Sequence, residues 1–255
     1  MIEPWNLKVE DTRHSDNRSV FIIFCEDGEI EPEYFNLFET DLIKVSAIRN
    51  SGKHHRQINF ASEYCRDNDL IETVNGNERL KLDKGAQVWC VYDRDKEEND
   101  RMDSSFNDSI RNAELKGMRV AWSNDDFEVW ILLHFQEIAP ADPLYRSRDT
   151  YYGQLTAYFN SVESLNEFEA KVTKNPGFDY YRTMKRKKRF LSITVPHLKG
   201  KLDTAIARAQ VLEEYFNKPE LLNHEKAVYS SQADPLFRHT DPSDQAYFLN
   251  LIPAY

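Results

Sequence analysis

The chain has 255 residues, enough for one large domain or a core domain with an appended subdomain. Its formal net charge of −10 argues against a protein that coats nucleic acid non-specifically, but leaves open an enzyme that cuts nucleic acid with clustered acids. The apolar fraction of 40% is globular, no run nears the roughly 18–20 apolar residues of a spanning helix, and the first residues lack the succession of a signal peptide. Three cysteines, Cys25, Cys65 and Cys90, form no CxxC, which fits a cytoplasmic, reducing environment without a zinc site.

In chain order, residues 1–18 are expected to form a polar arm. "SVFIIFCE" (19–26) is a continuous apolar run, as in a strand buried on both faces, and it ends in Glu26. "DGEIEPEYFNLFETDL" predicts a turn and a helix, with Pro32 in its first turn and Glu29, Glu31 and Glu33 at its positive end. "IKVSAI" (43–48) is a second strand. The polar loop "RNSGKHHRQ" leads to a helix beginning at "INFASEYC" (58–65). "NDLIETVNGNERLKLDKG" is weakly patterned and is taken as a connection.

"AQVWCVY" (86–92) is the third strand of this reading, followed by a helix that Gly117 closes. "MRVAWS" (118–123) is the fourth. In "DFEVWILLHF" (126–135), Phe127, Trp130, Ile131, His134 and Phe135 share one helical face. His134 is therefore expected as a core histidine, and Ser123 or Asn124 as the cap of that helix. Beyond Pro140, residues 147–174 and 201–218 carry helical patterns. Four strand–helix alternations predict an α/β core over 19–138 with a parallel sheet. A mostly helical portion, 139–255, follows.

In an open parallel sheet the ligand site lies beyond the carboxyl ends of the strands. Here those ends are Glu26, then Asp93-Arg94-Asp95, then Ser123-Asn124-Asp125-Asp126 with Glu128 just beyond. Asp93 and Asp95, at i and i+2 of an extended chain, point the same way and offer hard oxygens to one Mg²⁺ or Mn²⁺. A third carboxylate completes such a site or works as general acid or base. A cation held there stabilises charge on a phosphoryl oxygen and lowers the pKa of bound water. The residues thus suggest metal-assisted phosphoryl transfer or hydrolysis.

A Glu ending the first strand and a DxD ending the third is the Toprim pattern. Three blocks, "CEDGEIEPEYF" (25–35), "VWCVYDRD" (88–95) and "AWSNDDFEVWILLHF" (121–135), resemble the RloB family in order and span most of residues 20–135. The resemblance implies a Toprim-like fold and a Mg²⁺-dependent nuclease acting on DNA or RNA in bacterial anti-phage defence, with an AAA-type ATPase as partner. It makes Glu26 the general acid or base, at the metal, and Asp93 and Asp95 the metal ligands. The family usually has Gly after its first Glu, whereas this chain has Asp27, then Gly28.

Other residues carry open alternatives. Glu128 either complements a helix dipole or joins the site. The Asn124 amide is placed to face a phosphate. Lys53, His54 and His55 follow the second strand on the same edge, either as a polar loop or as phosphate and proton-transfer groups. The basic run Lys185, Arg186, Lys187, Lys188 and Arg189 is either a solvated face or a track for a nucleic-acid backbone, with Tyr180, Tyr181 and Phe190 as stacking or core residues. Rival readings are a catalytically degenerate Toprim subunit of an ATPase-containing complex, a DxD nucleotidyl- or glycosyltransferase, and a receiver-like domain. The receiver reading suffers because its paired acids belong after the first strand. A homo-oligomer and the absence of a membrane partner complete the expectations.

Overall fold

The computed structural model describes residues 19–49, 55–81, 86–93, 100–123, 126–139 and 148–216. The expected polar arm, Lys53, His54, Asp95 and Asn124 lie outside them, as does the chain beyond 216. Four strands form one parallel sheet: β1 (Ser19–Cys25), β2 (Ile43–Arg49), β5 (Ala86–Asp93) and β6 (Arg119–Ser123), in the order β2-β1-β5-β6. The chain runs from β1 outward to β2, then returns past β1 to start β5 on its other side. β1 and β5 therefore flank the point where the winding reverses, which is where a crevice opens at the carboxyl edge.

The central strands β1 and β5 are buried on both faces because both are covered. Phe21, Ile23 and Cys25 of β1, with Trp89 and Val91 of β5, face one core, and Ile22 and Phe24, with Val88 and Cys90, face the other. The second core is closed by α2 (His55–Asp67) and α3 (Asp100–Leu115) through Ile58, Ala61, Cys65, Ile110 and Ala113. The first receives α1 (Glu31–Asn36) and α4 (Glu128–Leu133). It continues without a break into the helical part through Tyr151, Leu155, Phe159, Tyr180, Phe190, Ile193 and Leu212. The helical portion is thus packed into the core of the sheet. The α/β class, a parallel sheet flanked by helices, and a helical C-terminal portion over the described residues 148–216 hold as expected.

Two local differences have physical reasons. Residues expected as a connection form a hairpin, β3 (Ile71–Val74) and β4 (Asn77–Leu80). Asn75 and Gly76 turn between them at φ 52° and 80°, both left-handed, as a type I′ turn requires. The Asn-Gly signal was present, but the strands alternate weakly because they form their own small sheet with most residues exposed or half-buried. In α4 every residue is buried rather than one face alone, because helices of the C-terminal portion cover the side away from the sheet. That portion comprises α5 (Arg148–Ser161), α6 (Glu167–Thr173), α7 (Tyr180–Met184), α8 (Lys187–Arg189), a π-helical turn (Phe190–Thr194), α9 (Val195–Leu198) and α10 (Leu202–Phe216), of which α5 and α10 pack on α4. Among the described residues, no helix is long and apolar enough to cross a membrane.

Candidate active site

Register sets the site. The last pair of β1 with β5 is Cys25 with Val91, and the Glu26 amide still donates to the Val91 carbonyl at 3.1 Å. Glu26 therefore leaves the sheet beside Asp93, the last residue of β5. Its carboxylate Oε2 accepts the Asp93 amide at 3.2 Å. From the opposite face, Gln57 of α2 donates through Nε2 to the Phe24 carbonyl at 3.1 Å and to the Val91 carbonyl at 2.8 Å. It ties the two strands together one step before the acids emerge. On the other side of β5, Asp93 pairs with Ser123 of β6, whose hydroxyl donates to Asp93 Oδ1. Ser123 is thus a partner of Asp93 and not a helix cap. The residue before α4 is Phe127, which makes no side-chain cap.

The loop after Glu26 answers the question raised by Asp27. Among described non-glycine residues only Asp69 and Asn75 have positive φ, so the place where the family usually has Gly does not demand left-handed backbone here. Asp27 builds the turn instead. Its Oδ1 accepts the Glu29 amide at 2.6 Å, and its own amide donates to Glu31 Oε2 at 3.2 Å. Close approach falls on Gly28, where an added Cβ would meet the Arg49 side chain 1.9 Å from Nε.

Glu31 is the acid that sequence reasoning placed only at a helix start. It is fully buried, and its Oε1 has no hydrogen-bond partner. Burial, then the charges of Asp93, Asp27 and Glu26, push its carboxyl well above the usual range. Its signals were its place five residues past Glu26 and the adjacent Pro32, which fixes the start of α1 so that its first turn lies against the strand end. Asp93 is raised likewise, by burial and then by Asp126 and Glu26, against the lowering effects of Ser123 and Lys185.

A second group adjoins the first. Asp126 and Glu128 bracket the start of α4, and Lys185, between α7 and α8, reaches both. Its Nζ lies 3.2 Å from Asp126 Oδ1 and 3.2 Å from Glu128 Oε1. It also donates to the Tyr152 hydroxyl at 3.1 Å, and that hydroxyl donates to Asp126. Burial and the Asp126 charge hold Glu128 well above the usual range. Although burial opposes it, Asp126 is held below its usual value by a hydrogen bond with Glu128 and by the Lys185 ammonium. The two carboxyls are thus pushed apart in acidity, and the lysine ammonium balances the charge of the more acidic one. Glu128 is in the buried cluster and is not a solvated helix-start residue. Nothing local in the sequence linked Tyr152 to it, since Tyr152 comes from α5.

The basic run divides. Lys185 turns into the acids, Lys187 pairs with Glu33, and Arg189 donates to the Thr183 carbonyl at 3.1 Å. Arg186 and Lys188 are exposed. Tyr180 and Phe190 are core residues, whereas Tyr181 is 51% exposed. His55 begins α2 at the carboxyl edge of β2. His134 is a core histidine: Nδ1 bonds the Trp130 carbonyl at 2.9 Å, and Nε2 lies 3.5 Å from the Tyr34 hydroxyl.

The family model for RloB-like proteins matches residues 21–231, most of the chain. The chain belongs to the RloB-like family. No curated protein and no solved structure matches it. Among the described residues of this RloB-like protein, no three His, Cys, Asp or Glu side chains stand together as a ready-made metal site. The donor chemistry nevertheless fits a hard cation. Glu26, Glu31 and Asp93 are carboxylates whose charges oppose one another, and Glu31 keeps one buried oxygen without a partner.

Proposed function

We propose that this RloB-like protein is a metal-dependent nuclease that hydrolyses phosphodiester bonds of DNA or RNA. The observation that carries the reading is the position of Glu26 and Asp93. They sit side by side at the carboxyl ends of the two strands flanking the topological switch point, tied by a hydrogen bond. Glu26, Asp93 and Asp95 would hold Mg²⁺ or Mn²⁺, with Glu31 behind them. The cation would supply charge stabilisation at the phosphoryl oxygens and an activated water.

The chain's own residues do the rest. Ser123 holds the Asp93 carboxylate in place, and Gln57 fixes the spacing of the strand ends. Glu26 accepts or returns a proton at Oε2, the oxygen that otherwise receives the Asp93 amide. An anti-phage role and an AAA-type ATPase partner follow from the family resemblance, and a homo-oligomer is compatible with it.

The test is the metal-induced shift in melting temperature of wild type and of Asp93→Asn/Asp95→Asn in millimolar Mg²⁺ or Mn²⁺. Plasmid, single-stranded DNA and total tRNA are assayed in parallel. A shift and cleavage confined to wild type are expected. Equal shifts and no cut by the wild type would remove the nuclease reading for the free protein.

A further inference from the structure

Tyr181 is the one aromatic of the stretch 178–190 that lies open. Its neighbour Tyr180 is fully buried and stacks on Phe159 at 5.7 Å, and the Asp179 side chain caps α7 by accepting the Arg182 amide at 2.9 Å. The helix that carries Tyr181 is therefore firmly placed, and the ring stands out from it at 51% exposure. It rests against the Tyr152 ring, centroids 4.8 Å apart. Tyr152 in turn bonds Asp126 and Lys185, and the Lys185 ammonium lies 5.5 Å from the centroid of each tyrosine ring. Asp126 is among the charges that raise Asp93. The open ring thus reaches Asp126 through Tyr152, and the Asp126 charge acts on Asp93. Arg182, Arg186 and Lys188, all exposed, stand on the same segment of a chain whose net charge is −10.

A fixed aromatic face bordered by cations beside a phosphate-directed site suits a nucleotide whose backbone meets the cations and whose base lies on the ring. Bases inside a duplex are covered by their neighbours. Only an unpaired base offers a face to a tyrosine. We propose that Tyr181 is a base-stacking platform, so that the carboxylate site takes single-stranded or looped nucleic acid in preference to duplex. This rests on the nuclease reading for the identity of the ligand. Tyr181 grips the base while Arg182, Arg186 and Lys188 follow the strand.

The test uses the full-length protein with Ca²⁺ in place of Mg²⁺. Binding is followed by fluorescence anisotropy with labelled oligo-dT and oligo-U of about 20 nucleotides, longer than one such platform needs, and with a blunt duplex of the same length. Wild type is expected to favour the single strands. Tyr181→Ala should weaken single-strand binding roughly 5- to 150-fold, the range for loss of one stacked base, and leave duplex binding unchanged. Tyr181→Phe keeps the ring and should bind as wild type does. The proposal is overturned if wild type binds duplex as tightly as single strands, or binds neither. It is also overturned if Tyr181→Ala binds single strands normally or loses equally on both probes.

Failure of the two readings can be told apart. Metal-dependent cleavage with an unchanged KM in Tyr181→Ala keeps the nuclease and removes the platform. Selective loss of single-strand binding in that variant, without cleavage by wild type, keeps the platform and removes the hydrolytic reading.

Discussion

Glu26 and Asp93 are 67 residues apart in sequence, yet the Glu26 carboxylate receives the Asp93 backbone amide at 3.2 Å. The bond uses an oxygen and an N–H that the sheet leaves over where β1 ends before β5. It also separates two roles of Glu26. Glu26→Gln keeps an acceptor for the Asp93 amide but cannot take a proton. The variant is expected to melt within about 1 kcal/mol of wild type and to lose cleavage by roughly 10²–10⁴-fold, the scale of a general acid or base. Parallel cleavage assays and chemical denaturation check both halves. A variant that cuts as fast as wild type sinks the role.

Lys185 offers a test of stability. It is the cation for Asp126, which is only 6% exposed, and for the fully buried Glu128. Lys185→Met leaves a carboxylate in the interior without its counterion, which is expected to cost about 3–5 kcal/mol at neutral pH. Without the ammonium, burial and mutual repulsion raise the carboxyls of the Asp126–Glu128 pair, Glu128 already lying above its usual value. The lost stability should therefore return as the pH falls through those raised values. Asp126→Asn/Lys185→Met removes both charges and should recover most of the loss. Urea denaturation of the three proteins at two pH values gives the answer, and a double variant as weak as the single one would contradict it.

The apolar runs that end in Glu26 and Asp93 were legible because a strand buried on both faces has few alternatives, and α/β alternation then places their ends on one edge. Long-range partners were not legible. Tyr152 and Lys185 reach Asp126 from α5 and from the α7–α8 junction, and no period or spacing near them marks that approach. Glu31 looked like a helix-start acid because local sequence shows the dipole and not the burial. Within "MKRKKR" the five basic residues look alike in composition. Their fates were set by what faced them: acids for Lys185, Glu33 for Lys187, a carbonyl for Arg189. The hairpin was missed despite Asn75-Gly76 because its strands cover little core.

His134 gives an acid-side prediction. It is buried among Trp130, Tyr34 and α4, and burial lowers its pKa from 6.5 to about 4. The folded protein therefore favours neutral imidazole, while the unfolded chain takes a proton near 6.5. Its contribution is complete above pH 6.5 and is lost as the pH falls towards 4, about 3 kcal/mol in all. In His134→Gln the baseline stability is lower, but the decline between pH 6.5 and 4 should be shallower by that amount. Denaturation midpoints across this interval measure the slope. Equal slopes would show that His134 does not titrate with folding.

Glu31 gives the opposite sign. Its carboxyl is raised by burial and by Asp93, Asp27 and Glu26, so the folded state without a cation prefers the protonated acid. That preference is fully present below the unfolded carboxyl value and is lost as the pH rises through the folded one. Glu31→Gln mimics the protonated form at every pH. In EDTA the variant should therefore gain on wild type at pH 8 and gain little at pH 4. A cation held by Glu26 and Asp93 would offset the same charge, so added Mg²⁺ should raise the melting temperature of wild type more than that of the variant. Thermal melts at both pH values, with and without Mg²⁺, test the two effects separately. No gain at pH 8 in EDTA would mean that Glu31 is still neutral there, and a gain that does not change with pH would mean that its titration is not linked to folding in this interval. Equal Mg²⁺ shifts would place the cation away from it.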